Sequence, residues 1–225
     1  MSESDKLFAG SIPEIYDTYL VPLIFEAFAN DLAERVVILN PAEILETAAG
    51  SGVVTRALAA RLPSDAHYTV TDLNQPMLDR AASQQAPDAR ILWRQADALN
   101  LPFDDESFDA VVCQFGVMFY PDRIAGYAEV HRVLKPGDRL LFNVWSDIGS
   151  NEFADVVTEA AATVFPDDPP QFLPRTPYGY HAEDLIRQEL SQAGFSDVTY
   201  ETLEESSSAP SPHHPAIAFC QGTPL

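Results

Sequence analysis

Glu46, Asp72, Asp97 and Gln114 each close a short apolar run, and three of the four are carboxylic acids. Between the first two lies a small-residue stretch, Thr47-Ala48-Ala49-Gly50-Ser51-Gly52, and directly after it Val53-Val54-Thr55-Arg56-Ala57-Leu58-Ala59 reads as a helix. A strand, a tight loop and a helix start bring backbone N–H groups against a nucleotide-like ligand. Gly50 and Gly52 matter because a Cβ would hold the ligand off the backbone and disfavour a positive φ. Asp72 lies 20 residues beyond Gly52, the usual spacing for an acid that accepts both ribose hydroxyls. Side chains of this kind bind and orient a ligand. No metal pattern accompanies them: Cys113 and Cys220 both sit in apolar runs, which predicts buried free thiols.

The elements that must carry these groups alternate from residue 43 onward. Compact apolar runs predict strands at 43–47, 67–72, 90–95, 108–114 and 139–145, and helical spacing predicts helices at 52–62, 75–86 and 122–134. Strands without alternation, separated by helices, imply a parallel sheet covered on both faces, an α/β doubly wound fold. The four polar positions then fall on the C-terminal edge of that sheet, where open α/β sheets bind ligands. Before the sheet, residues 12–39 hold two or three helical segments, with Pro13 and Pro22 at first-turn positions. Lys135-Pro136-Gly137 is a helix stop. Residues 146–180, rich in proline and carrying Phe165, Phe172, Tyr178 and Tyr180, read as an irregular lid. A helix at 182–193 and a strand at 197–203 follow, and 204–215 is loop.

Size and charge narrow the possible partners. A chain of 225 residues with 46% hydrophobic and 10% aromatic residues can bury one core. A net charge of -21, with only 13 Lys and Arg, argues against nucleic acid and against docking on anionic membranes. No apolar run approaches the ~20 residues that cross a bilayer. Met1-Ser2-Glu3-Ser4-Asp5-Lys6 lacks the basic and apolar parts of a secretory signal, so a cytoplasmic location is the default expectation.

Five segments in order carry a resemblance. They are Leu45-Glu46-Thr47-Ala48-Ala49-Gly50-Ser51-Gly52, Thr71-Asp72-Leu73-Asn74-Gln75-Pro76-Met77-Leu78, Asp97-Ala98-Leu99-Asn100-Leu101-Pro102-Phe103, Ser107-Phe108-Asp109-Ala110-Val111 and Glu129-Val130-His131-Arg132-Val133-Leu134-Lys135-Pro136-Gly137. From about residue 12 to 200 the chain resembles class I S-adenosylmethionine-dependent methyltransferases, most closely those of ubiquinone and menaquinone biosynthesis. The resemblance implies a Rossmann-like, mostly parallel seven-stranded sheet ending in an antiparallel hairpin, with S-adenosyl-L-methionine as cofactor and S-adenosyl-L-homocysteine as product. It implies one domain over 1–225: a helical cap at 1–40, a cofactor-binding core at 43–145, a lid and acceptor segment at 146–181 and a C-terminal part at 182–225.

The same resemblance distributes roles. Gly50, Gly52 and Ala48, which replaces the family's first glycine, face the methionine part of the cofactor. Glu46 serves its ammonium and Asp72 its ribose. Leu73 and Met77 pack on adenosine, while Asp97 and the Ala98 N–H meet the adenine. Gln114 and Phe115 lie next to the sulfonium. Relatives continue beyond a segment like Cys220-Gln221-Gly222-Thr223-Pro224-Leu225, so the last strand is missing here unless 216–220 takes its place. An unpaired edge would favour self-association, which leaves monomer or homodimer.

Several side chains admit two readings. His181, beside the lid, is either a general base or a cap at the surface. Tyr16 and Tyr19 share a helical face and either pack in the core or close over the cofactor, Tyr19 then standing near the chemistry. Phe119, Phe172 and Tyr178 either fill the core or line an acceptor pocket. Methyl transfer needs alignment more than a side-chain nucleophile, so the lack of a triad is expected. The acceptor is a small, partly apolar or aromatic molecule, methylated at carbon, oxygen or nitrogen. The competing functions are an NAD-dependent oxidoreductase and a non-catalytic S-adenosylmethionine-binding protein.

Overall fold

Five parallel strands, β1 (Glu43–Glu46), β2 (His67–Asp72), β3 (Ile91–Gln95), β4 (Phe108–Gln114) and β5 (Leu134–Asn143), form one sheet in the order β3-β2-β1-β4-β5. The computed structural model describes residues 10–224. Residues 1–9 of the expected cap, with Met1–Lys6, and Leu225 lie outside the described residues. Strand order reverses at β1, whose neighbours are β2 and β4. The crevice beyond the carboxyl ends of β1 and β4 is therefore the place where such a sheet takes a ligand.

Alternation along the strands separates two buried layers. On one face Ile44, Tyr68, Val70, Ala110 and Val112 pack with side chains of α2 (Glu26–Ile38), α3 (Val53–Ala59) and α4 (Gln75–Gln84). On the other, Leu45 and Val111 pack with Val130 and Val133 of α5 (Arg123–Val133). A third cluster gathers above the carboxyl edge. It joins Phe115, Tyr120 and Trp145 to Leu20, Phe25, Phe172, Tyr178 and Phe219.

That third cluster is roofed by the N-terminal helix. Beyond α1 (Ile12–Ile15), Tyr16–Phe25 runs as a π-helix before the chain returns to α-geometry in α2. Pro22 lies inside this segment. It can donate no backbone hydrogen bond and its ring crowds the preceding turn, which gives a physical reason for the widened ladder.

Five strands replace the seven expected. Residues 197–203 form no ladder, and 216–220 belong to α9 (His213–Gly222). A short apolar run suits a buried helix as well as a strand, and here Ala218, Phe219 and Gly222 share the buried face. The irregular lid expected at 146–180 contains α6 (Glu152–Val164) and α7 (Phe172–Arg175). The α6 sequence starts with acids and continues in alanine, and the prolines break the helix only after it has formed. Lys135-Pro136-Gly137 lies inside β5, where the register with β4 slips between Phe108 and Ala110. The helix at 182–193 is α8 (Glu183–Gln192). Cys113 is buried as expected, but Cys220 is exposed, because α9 turns it outward while burying Phe219.

Candidate functional site

Thr47 to Gly52 leave β1 as a loop pinned at several points. The Thr47 N–H donates to Val112 O and the Ala49 N–H to Thr71 O, tying the loop to both neighbouring strands. Ala48 has φ 52, Gly50 has φ 57 and Gly52 has φ 81. The alanine at the family's first glycine position thus keeps the left-handed backbone and carries its strain. Gly52 precedes α3, and a Cβ there would meet Ala81 Cβ at 2.8 Å.

The acids follow from this frame. Asp72 accepts from the Gly50 N–H at 2.8 Å and from the Asn74 N–H at 2.7 Å, so the end of β2 holds both the loop and the entry to α4. Burial pushes its carboxyl up, and those two N–H groups partly offset the rise. Glu46 is 1% exposed. Thr55 Oγ1 donates to it at 2.6 Å, and so does the Tyr68 hydroxyl. Burial pushes Glu46 up to about 7, against the opposing pull of these two donors. Asp97 accepts from the Leu99 N–H at 2.9 Å, an Asx turn that orders the chain after β3.

A cavity of about 190 Å³ lies beyond these strand ends. Of the residues expected at the cofactor, Tyr16, Glu46, Ala48, Gly50, Asp72, Leu73, Met77, Asp97, Ala98, Gln114 and Phe115 all line it. Phe119, Phe172 and Tyr178 line it as well. Three expected residues do not. Gly52 lies behind the loop against Ala81. Tyr19 turns towards His214, ring centroids 5.0 Å apart. His181 is exposed, with Nδ1 3.0 Å from Tyr178 O. The described residues hold no cluster of His, Cys, Asp and Glu that could take a metal.

Other lining residues come from segments the sequence reading did not assign to a site. Leu20, Ile24 and Phe25 descend from the π-helix, Trp145 stands just past β5, and Phe219 and Thr223 come from α9 and its end. Trp145 stacks on Phe115 at 3.8 Å and 5°. The signal for Trp145 was present, since it follows the fifth strand as Gln114 ends the fourth. Phe115 has φ 48, rare for a bulky residue and typical of functional sites. Next to it, a Cβ on Gly116 would meet Ala48 Cβ at 2.5 Å, so the loops after β1 and β4 touch only because residue 116 is glycine.

One of the buried polar atoms without a hydrogen-bond partner belongs to a residue of the cavity wall. Gln114 gives its Nε2 to Phe25 O at 3.2 Å, but its buried Oε1 has no partner. An unpaired acceptor against a cavity is costly unless a ligand satisfies it.

The family model for the Methyltransferase domain matches residues 44–137, the stretch from β1 into β5. A demethylmenaquinone methyltransferase of Mycolicibacterium gilvum is 33% identical over 175 residues, covering 73% of each chain. The chain belongs to the class I S-adenosylmethionine-dependent methyltransferases. The ubiquinone/menaquinone biosynthesis C-methyltransferase UbiE of Geobacter sp. (strain M21) is 28% identical over 88% of this chain and 90% of its own. In fold, this methyltransferase is similar to a Methanococcus maripaludis protein crystallised as a candidate S-adenosyl-L-methionine-dependent methyltransferase. Their TM-score is 0.63 at 23% identity, over 88% of each chain. S-adenosyl-L-methionine is accordingly the cofactor of this methyltransferase, and these relatives favour neither the oxidoreductase nor the non-catalytic reading.

Proposed function

We propose that this cavity holds S-adenosyl-L-methionine along the carboxyl ends of β1 to β4 and an uncharged aromatic ring of quinone type beneath the lid, within one domain. Asp72 would take the ribose hydroxyls, Asp97 and the Ala98 N–H the adenine, and Glu46 with the Ala48–Gly50 loop the methionine end. The cofactor supplies an activated methyl group on a sulfonium, so alignment and exclusion of water are what the protein must add. Leu73 and Met77 flank the adenosine position, and Phe115 with Gln114 marks the turn from the cofactor half to the acceptor half.

The observation that carries the acceptor class is charge. Among the described residues lining the cavity, the charged groups are Glu46, Asp72 and Asp97, with no Lys, Arg or His. On the lid side of the cavity no cation would compensate a carboxylate or phosphate carried by the acceptor. The aromatic wall of Phe25, Phe115, Phe119, Trp145, Phe172 and Tyr178 suits a flat apolar ring. Burial raises the hydroxyls of Tyr16, Tyr120 and Tyr178 far above neutrality. They can donate hydrogen bonds to an acceptor oxygen but take up no proton. The curated relatives include demethylmenaquinone methyltransferases, which supports the same class.

Two measurements test this reading. Calorimetric titration with S-adenosyl-L-homocysteine is expected to give micromolar binding, weakened about a hundredfold in Asp72→Ala. Methyl transfer from labelled S-adenosyl-L-methionine is expected to a demethylated, short-chain menaquinone in its reduced form. Transfer confined to carboxylate-bearing rings would overturn the acceptor assignment.

A further inference from the structure

Asp17 stands on the π-helix one residue from Tyr16, yet its side chain is only 8% exposed. Two arginines from neighbouring helices reach it. Arg56 of α3 donates through Nη2 to Asp17 Oδ1 at 3.0 Å, and Arg80 of α4 donates through Nε to Asp17 Oδ2 at 2.9 Å. Arg56 also donates through Nη1 to Ser51 O at 2.7 Å, so the same guanidinium grips the glycine loop. α3 and α4 are the helices that follow β1 and β2, whose ends carry Glu46 and Asp72.

Elsewhere the roof is held by apolar contact and by side chains on its backbone carbonyls, Gln114 at Phe25 O, Ser207 at Leu23 O and His214 at Tyr19 O. Tyr16, Leu20, Ile24 and Phe25 point into the cavity, and α9 backs the segment from outside. A Cβ on Gly222 would stand 3.4 Å from the Tyr16 backbone, so the two helices lie close together. Apolar packing of this kind is non-directional. A carboxylate shared between two fixed guanidiniums is directional, and it joins the roof to the loop and to both cofactor-bearing helices.

We propose that Asp17 with Arg56 and Arg80 forms a latch that holds the π-helical roof shut over the cofactor. Asp17 is a positioning residue: it touches neither cofactor nor acceptor, and it acts through Tyr16, Leu20 and the glycine loop. Breaking the latch lets the roof lift and releases the product more often. The proposal rests on the cofactor position given above.

The experiment is stopped-flow tryptophan fluorescence of the full chain with S-adenosyl-L-homocysteine, using Trp145 in the cavity wall as reporter. In D17N the dissociation rate is expected to rise about tenfold, with the cofactor KM rising and the kcat falling by less than about twofold. D17E is expected to restore most of the difference. R80M removes one arm without touching the glycine loop and is expected to give an intermediate rate, which keeps the test available if D17N does not fold. Raised salt should speed release from the wild-type protein more than from D17N, because screening weakens the same ion pairs. Wild-type binding with unchanged dissociation in R80M, and in D17N where it folds, would overturn the latch alone. A wild-type protein that binds no S-adenosyl-L-homocysteine would overturn the cofactor position and the latch with it.

Discussion

The two halves of the cavity are built in opposite ways. The half proposed for the cofactor comes, apart from Tyr16 in the roof, from one continuous stretch, residues 46–115, and its groups are strand-end carboxylates and backbone amides fixed by the sheet. The half proposed for the acceptor is assembled from Leu20, Ile24 and Phe25, from Phe119 to Pro121, from Trp145, from Phe172, Leu173, Pro177 and Tyr178, and from Phe219 and Thr223, which meet only in the folded chain. One half is polar and specified by local spacing. The other is apolar and specified by packing between distant helices. Binding of a shared cofactor needs the first kind of construction, and choice of acceptor can vary with the second while the first stays fixed.

Trp145→Ala tests that independence with the largest expected effect. It removes the face stacked on Phe115 and should destabilise the fold by about 3–4 kcal/mol. The acceptor KM should rise about tenfold while S-adenosyl-L-homocysteine affinity moves less than about threefold. Equal losses on both sides would mean that the halves are one unit.

Glu46→Gln probes the cofactor half alone. Glu46 titrates near 7 in the folded chain against an ordinary value of 4.5. The folded state therefore keeps a proton that the unfolded state releases, and this contribution to stability is present below about 4.5 and lost as pH rises towards 7. Cofactor affinity should run the other way, weakening as pH falls through 7, because only the carboxylate attracts an ammonium. The glutamine variant should flatten both trends, with a stability difference on the order of 2 kcal/mol at high pH. Thermal melts and titrations across pH 5–8 would check it, and an unchanged slope in the variant would assign the effect elsewhere.

Ala48→Gly carries the smallest effect. Relieving a left-handed alanine should raise stability by about 1 kcal/mol with little change in cofactor affinity. A chemical denaturation midpoint that falls instead would mean that Ala48 Cβ supports the contact with Gly116.

The contrast also explains what could be read in advance. The five strands, Glu46, Asp72, Asp97 and Gln114 were legible because each sits at a fixed offset from an apolar run, and local spacing survives folding. The roof was half legible: Tyr16 showed helical periodicity, but the π-geometry around Pro22 left no periodic signal, and the partners of Asp17 lie 39 and 63 residues away. α6 was hidden by the prolines that follow it. α9 was hidden because Ala216-Ile217-Ala218-Phe219 suits either element until the π-helix provides a face for it. His181 drew attention by residue type, yet its ring lies outside the cavity.

The bulge in β5 has a consequence for the protein in crowded solution. β5 is the last strand of the five-stranded order, and an edge strand offers a rim to which another chain could add. Around Lys135, Pro136 and Gly137 that rim is interrupted by a missing donor and a slip in register, with Lys135 drawn to Asp109 of β4. A foreign strand laid against it would find no continuous ladder. The three residues that read as a helix stop thus insulate the sheet from inside β5, and replacing them with β-branched residues would create a sticky border.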